Sequence, residues 1–248
     1  MTGVCPKCGY LQTQSTETCQ RCGVIFSRIR REGAGMEITL AASSAGSGSK
    51  EPHGLRGRLL LAKQGEQGFV IALKVVFLLG LAVWGLRLAS QPIISNAVGE
   101  SFLHLINLPF HEAGHIFFTP FGRFIQILGG TLGQLLIPII VTGTFIYQQQ
   151  PYAASIGLWW LGENFMDIAP YMDDARAGQL MLLGGVTGSE VEDYHDWEGI
   201  LGRLGMMQYD HTLARAAFSL GVLIMLMALC WGGCILWREY ALRARQAL

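Results

Sequence analysis

Residues 125–147, IQILGGTLGQLLIPIIVTGTFIY, form a continuous, mainly apolar run that contains no charged side chain. An α-helix needs about 20 consecutive, mainly apolar residues to cross the hydrocarbon core of a bilayer. Four further stretches are similarly apolar over a similar length, at residues 69–90, 101–121, 152–172 and 213–237. The sequence therefore predicts an all-α polytopic membrane protein with about five transmembrane helices, preceded by a small amino-terminal module.

The composition supports this prediction. Hydrophobic residues make up 51% of the 248 residues and charged residues only 15%, whereas a typical soluble domain is about 25% charged. Glycine occurs 32 times, as expected where membrane helices pack closely. The formal net charge is zero, which argues against nucleic acid as a partner. The lipid bilayer is the environment that this composition indicates.

Four cysteines near the amino terminus form two Cys-x-x-Cys-Gly motifs, Cys5/Cys8 and Cys19/Cys22. This spacing can close four thiolates around one tetrahedral zinc ion. Two disulfides in a secreted domain are the alternative, but the residues before Cys5 lack the features of a signal peptide. Residues 1–32 resemble the short zinc-ribbon modules found at the front of bacterial proteins. We expect a structural zinc ion here and a module that docks a cytosolic partner.

Residues 33–68 form a Gly- and Ser-rich tether that ends in a basic flank, and residues 69–248 form the membrane domain. Arg56, Arg58 and Lys63 precede the first apolar stretch. Because cytoplasmic flanks are rich in Lys and Arg, these residues predict a cytoplasmic amino terminus. The cytoplasm is also a reducing compartment, which suits four zinc-binding thiols.

The carboxyl-terminal flank conflicts with a count of five spans. Five crossings would place Arg238, Arg243 and Arg245 outside the cytoplasm, against the positive-inside tendency. Either a sixth, broken span lies within residues 176–207, or the last flank departs from the rule.

The second apolar stretch contains the motif His111-Glu112-Ala113-Gly114-His115. At helical spacing, positions i and i+4 lie on one face, so both imidazoles can bind one zinc ion. Glu112 would lie beside the metal, where it can act as a general base toward water. Charged and polar groups within a membrane segment are costly, and they therefore indicate a functional site.

A zinc site of this kind needs a third protein ligand. Glu163, Asp167 and Asp174 lie at offsets 0, 4 and 11, which places them on one stripe of a continuous helix. Asp173 lies about 100° away from that stripe. The helical pattern therefore favours Asp174 as the third ligand.

These motifs resemble those of the site-2 protease family of intramembrane zinc metalloproteases. The resemblance covers roughly residues 100–176. It rests on the histidine motif and on the segments Gly130-Thr131-Leu132-Gly133-Gln134 and Asn164…Pro170…Asp173-Asp174. It departs from the family pattern because Gln134 replaces the usual Asn and because no Gly follows the two aspartates.

The resemblance implies hydrolysis of peptide bonds in or next to the bilayer, with a membrane protein as the substrate and Glu112 as the catalytic base. The family's Asp-x-x-Arg pattern implies Asp173 as the third ligand, in contrast to Asp174. Asn164 and Gln134 would bind the substrate backbone or the oxyanion. The implied location is the bacterial inner membrane.

Three alternatives stay open. Glu163 with Asp167 resembles the downstream ligand and its supporting Asp in thermolysin-like enzymes. His195 and Asp196 could act as a ligand with its orienting carboxylate, although a surface pair is the commoner arrangement. The protein could also be a catalytically silent membrane protein that binds metal and docks partners through its ribbon.

Overall fold

The computed structural model describes residues 5, 10–11, 17–22, 55–191 and 195–246. The chain forms two compact units, Met1–Glu51 and Pro52–Leu248. The predicted tether, residues 33–68, lies on both sides of this division, and its residues 33–54 are outside the described part.

The second unit is helical. In chain order its α-helices are α1 (Leu55–Leu59), α2 (Gly68–Ala89), α3 (Phe102–Phe118), α4 (Arg123–Tyr147), α5 (Pro151–Asp173), α6 (Asp196–Leu204) and α7 (Asp210–Gln246). Each of the five apolar stretches is thus a helix, which confirms the all-α prediction for the part of the chain that the structure describes. Pro151 begins α5 because a proline at the first helical position sacrifices no intrahelical hydrogen bond.

Three segments are long and apolar enough to cross a membrane: α2, α4, and Met207–Gln246, which contains α7. Large apolar side chains such as those of Val83, Leu86 and Ile140 are exposed along these helices. Such exposure is unusual for a soluble monomer and suits contact with lipid. Helix α3 has only 17 residues, and α5 carries the buried carboxyl groups of Glu163 and Asp167.

Close helix packing depends on glycines that face one another. A methyl group built on Gly221 of α7 would lie 2.5 Å from the carbonyl oxygen of Gly162 on α5. A methyl group on Gly114 of α3 would overlap the carbonyl group of Gly129 on α4. Small residues at these points let the helix backbones touch, as is common between membrane helices.

The contacts fix which helix ends lie together. Lys74, near the start of α2, forms a 2.9 Å ion pair with Glu239 near the end of α7. The Tyr152 hydroxyl at the start of α5 donates to the carbonyl of Lys74 at 2.7 Å. Arg243 donates to the carbonyl of Glu66 at 3.2 Å. The start of α2, the start of α5 and the end of α7 therefore share one end of the unit.

Helix α4 is antiparallel to α5, since Thr142 packs against Gly157 and Gln134 contacts Asp167. Helix α4 therefore begins at the end where α2 finishes. Helix α3 packs along the first half of α4, with Phe110 beside Gly133 and Gly114 beside Gly129. It is not among the helices that are long and apolar enough to cross a membrane, and a span at residues 101–121 stays a prediction.

In the described part of residues 176–207 the α-helical segment is α6, whose nine residues are only roughly 14 Å long. Crossing a bilayer takes about twice that length. The alternative of a sixth, broken span is therefore not borne out by the described residues. The two basic flanks nevertheless share one end of the unit.

Candidate metal centre

His111 and His115 lie one turn apart on α3, and their ring centroids are 4.9 Å apart. The Nε2 atoms of both rings face the same carboxylate oxygen, Oδ2 of Asp196, at 2.9 Å and 3.1 Å. One donor atom from each of these three residues lies within 4.8 Å of the others. Two imidazoles and one carboxylate form a three-ligand set that suits a catalytic zinc ion.

Asp196 is held in place by the start of α6. The preceding residue, His195, is buried and caps this helix, since its Nδ1 accepts the backbone N–H of Glu198 at 3.2 Å. The backbone N–H of Asp196 donates to the hydroxyl of Tyr171 at 2.9 Å. Burial acts to raise the pKa of the Asp196 carboxyl, but its hydrogen bonds to His111 and His115 hold this pKa below the usual value. His195 and Asp196 are therefore not a surface pair.

The other ring nitrogen of each histidine has a partner of its own. His111 Nδ1 lies 3.2 Å from the side-chain oxygen of Gln134, and His115 Nδ1 lies 2.8 Å from the backbone carbonyl oxygen of Gln126. Partners of this kind orient a metal-binding imidazole and keep its Nε2 free for the metal. Both partners lie on α4.

Gly130 on α4 leaves room at the centre of this group. A methyl group at Gly130 would lie 2.5 Å from the Nε2 atoms of both His111 and His115. The space beside the two nitrogen atoms therefore exists only because residue 130 has no side chain, since even a methyl group would fill it. Together with the three donor groups, a space of this size suits a single metal ion.

A cavity of about 430 Å³ is lined by His111, His115 and Asp196 and also by Glu112. Arg123, His104 and Tyr171 line other parts of its wall. The segment Leu180–Leu183 also lines it and contributes apolar surface. The cavity thus combines a metal-binding group, a half-buried carboxyl group and apolar walls.

The structure places neither predicted third ligand with the two histidines. Asp174 accepts the backbone N–H groups of Gln179 and Leu180 at 2.9 Å and 2.8 Å, so it stabilises the loop after α5. Asp173 contacts His211 Nδ1 at 2.6 Å. Proline 170 does not break α5, but the helix ends at Asp173, so the stripe that favoured Asp174 does not continue to it.

The deeper carboxyl groups of the stripe belong to a separate buried network. Glu163 and Asp167 each accept a hydrogen bond from Asn107 at 3.0 Å. Asp167 also contacts His104 Nδ1 at 2.9 Å. The thermolysin-like arrangement is therefore not formed, because Glu163 lies with Asn107 and outside the histidine group.

The two predicted substrate-binding residues occupy different environments. Asn164 is fully buried and donates to Asn107 and to the backbone carbonyl of Trp160. It is not among the residues that line the cavity. Gln134 borders the cavity, but its side chain is engaged by His111 and Asp167.

A second group of candidate ligands lies in the amino-terminal unit. The sulfur atoms of Cys5, Cys19 and Cys22 lie within 4.8 Å of one another, and Cys8 is outside the described residues. Desolvation opposes ionisation of the Cys19 thiol. Hydrogen bonds from the backbone of Cys22 and Arg21 nevertheless lower its pKa to about 6. A thiol that ionises this readily suits metal binding.

The sequence pointed to His195 and Asp196 as a possible ligand with its orienting carboxylate, but it did not identify Asp196 as the group that meets the two histidines, and it missed Gln126. Asp196 lies in a polar segment without periodicity, and the role of Gln126 depends on its backbone carbonyl, which no sequence motif reveals. The signal that was available is the His-Asp pair at His195–Asp196, directly before a helix. Comparisons of this chain with protein families, with curated proteins and with solved structures gave no match.

Proposed function

We propose that this protein is a membrane-embedded zinc metallopeptidase whose catalytic metal is held by His111, His115 and Asp196. The observation that carries the proposal is the convergence of these three donor groups in a cavity that also holds Glu112. A zinc ion bound there supplies a Lewis acid that acidifies water and polarises a peptide carbonyl.

Glu112 acts as the general base. It follows the first histidine directly, and its carboxyl group lines the same cavity. It accepts a proton from the attacking water and then delivers that proton to the nitrogen of the departing amine. Water and peptide bond are consumed together, and a new carboxyl group and a new amino group are released.

The substrate that we propose is a membrane protein cleaved in or next to the bilayer, in a membrane such as the bacterial inner membrane. The cavity lies between α3, α4 and α5, and its apolar wall at Leu180–Leu183 suits a hydrophobic peptide segment. The cysteine group near the amino terminus holds a second, structural zinc ion and presents a docking module to a cytosolic partner.

The arrangement of the helix ends supports a particular orientation. Arg58, Lys63, Arg238, Arg243 and Arg245 flank the start of α2 and the end of α7, which share one end. The positive-inside tendency makes that end cytoplasmic. The metal centre lies near the start of α4, at the opposite end. We therefore propose four crossings, by α2, α4, α5 and α7, and a catalytic site in the half that faces away from the cytoplasm.

The test is zinc stoichiometry of the purified full-length protein, measured together with cleavage of labelled casein. Asp196→Ala should lose one of two zinc equivalents, because two imidazoles alone hold zinc weakly. Asp173→Ala is the matched control and should retain both. Glu112→Gln should retain both zinc equivalents and abolish cleavage, because it removes the base and leaves the ligands intact.

Other results would contradict parts of the proposal. Zinc loss in Asp174→Ala, with full retention in Asp196→Ala, would restore the ligand that the helical pattern favoured. Undiminished cellular function in Glu112→Gln would support the catalytically silent metal-binding protein over the enzyme.

A further inference from the structure

We propose that Gln134, held by Asp167 in a buried network that also contains Asn107 and Trp160, fixes which ring nitrogen of His111 carries the proton. Gln134 is then a positioning residue for the metal ligand and not a substrate-binding residue. This inference rests on the proposed metal centre.

The first step is the orientation of Asn107. Trp160 Nε1 lies 2.8 Å from Oδ1 of Asn107. An indole nitrogen can only donate a hydrogen bond, so its partner must be the amide oxygen. Asn164 Nδ2 donates to the same oxygen at 3.2 Å. The amide nitrogen of Asn107 therefore points the other way.

The second step is the role of Asp167. Asn107 Nδ2 lies 3.0 Å from Asp167 Oδ2 and 3.0 Å from Glu163 Oε2. Because an amide nitrogen only donates, both carboxyl oxygens are acceptors. Gln134 lies 2.8 Å from the same Asp167 Oδ2 and must also turn its amide nitrogen toward it.

The third step reaches the histidine. With its nitrogen on Asp167, Gln134 presents Oε1 to His111 Nδ1 at 3.2 Å. A carbonyl oxygen only accepts, so His111 must carry its proton on Nδ1. The lone pair of Nε2 is then available to a metal ion, as a neutral histidine ligand requires.

Burial makes the hydrogen bonds of Asn107, Asp167 and Gln134 difficult to replace. Asn107 is 1% exposed, and Gln134 and Asp167 are each 5% exposed. Little of these side chains is therefore open to water that could take the place of a lost partner. His115 is oriented differently, since its Nδ1 faces the backbone carbonyl of Gln126.

The experiment measures zinc affinity by competition with a chromophoric chelator. The full-length protein carries Cys19→Ser, so that the membrane site alone is measured. Gln134→Met keeps the size of the side chain but removes the acceptor, and we expect about 10- to 100-fold weaker zinc binding. Gln134→Glu keeps an acceptor for His111 but loses the N–H toward Asp167, so it should bind zinc more tightly than Gln134→Met and less tightly than the parent protein. Gln148→Met, an exposed glutamine that follows the far end of α4, should bind zinc as tightly as the parent protein.

A second pair of variants tests the same inference without altering Gln134. Trp160→Phe removes the indole donor and should weaken zinc binding. Trp159→Phe alters the neighbouring indole, whose Nε1 has no hydrogen-bond partner among the described residues, and should not. Equal zinc affinity in the parent, Gln134→Met and Trp160→Phe proteins would overturn the inference. A parent protein that binds no zinc at this site would instead overturn the proposed function.

Discussion

Gly130 shows how the absence of one side chain leaves space for an ion at the proposed metal centre. Its Cα faces the two imidazoles, and any Cβ would lie 2.5 Å from both Nε2 atoms. Real Cβ atoms do not approach nitrogen that closely, so His111 and His115 would have to move. Neither can move freely, because each ring is anchored through Nδ1.

We expect Gly130→Ala to abolish zinc binding at the membrane site while the helices still form. Alanine has a higher helix propensity than glycine by about 1 kcal/mol, so the helix itself is not weakened. Gly143→Ala on the same helix is the matched control, because nothing lies within 4 Å of its Cβ position. Zinc stoichiometry and circular dichroism of both variants provide the measurement. Full zinc occupancy in Gly130→Ala would contradict the location of the site.

The sequence allowed two of the three proposed membrane-site ligands to be predicted, and the reason is local. His111 and His115 are one helical turn apart, so helix geometry alone brings their rings together. Asp196 follows about 80 residues later and reaches them only through packing of the segment after α5. Nothing in the local pattern of the sequence encodes that contact. Glu163 and Asp167 do lie on a buried face of α5, but their carboxyl groups accept hydrogen bonds from Asn107 and do not reach the proposed metal position.

At the scale of one helix, α6 is the element that completes the centre. It has only nine residues and begins at the proposed ligand itself, so the position of Asp196 depends on how the helix starts. His195 supplies the cap through Nδ1, and its ring lies 4.2 Å from that of Tyr171. Burial lowers the pKa of His195, which keeps this nitrogen able to accept a hydrogen bond.

His195→Ala should loosen α6 and weaken zinc binding, although His195 is not one of the proposed ligands. Loss of a helix cap costs about 0.5–2 kcal/mol. Removal of a buried ring adds the cost of a cavity. Hydrogen exchange of residues 196–204 should accelerate in the variant, and zinc affinity should fall in parallel. His211→Ala is the control, since that ring is half exposed and contacts Asp173. Unchanged exchange in α6 would show that the cap does not hold this helix.

The helices themselves were largely predictable, because a long apolar run without charges has few alternatives. The sequence was a poorer guide to which of these helices cross the membrane. The sequence predicts five spans, whereas three segments of the described chain are long and apolar enough to cross, and α3 is not one of them. Helix α3 carries the two histidines against α4.

For the whole molecule, the shared end of α2 and α7 leads to a test of orientation. Cysteines placed at the exposed positions Lys63 and Arg245 should both resist a membrane-impermeant thiol reagent in intact cells. A cysteine at Arg203, an exposed position in α6, should react, because it lies at the end that we place outside the cytoplasm. Cys230 and Cys234 are replaced by Ala and the four amino-terminal cysteines by Ser, so that only the introduced thiol reports. Opposite reactivity at Lys63 and Arg245 would contradict the arrangement of the two flanks.

The position of Asp196 in the chain has a consequence for biosynthesis. Both histidines and Glu112 leave the ribosome about 80 residues before Asp196 does. At typical rates of 5–20 residues per second, roughly 4–16 s of synthesis separate the first two donors from the third. During that interval α4 and α5 are made while the proposed base lacks a complete set of the proposed ligands. For the proposed metallopeptidase, translation order alone delays metal acquisition, and with it peptide hydrolysis, until the helices that enclose the cavity have been made.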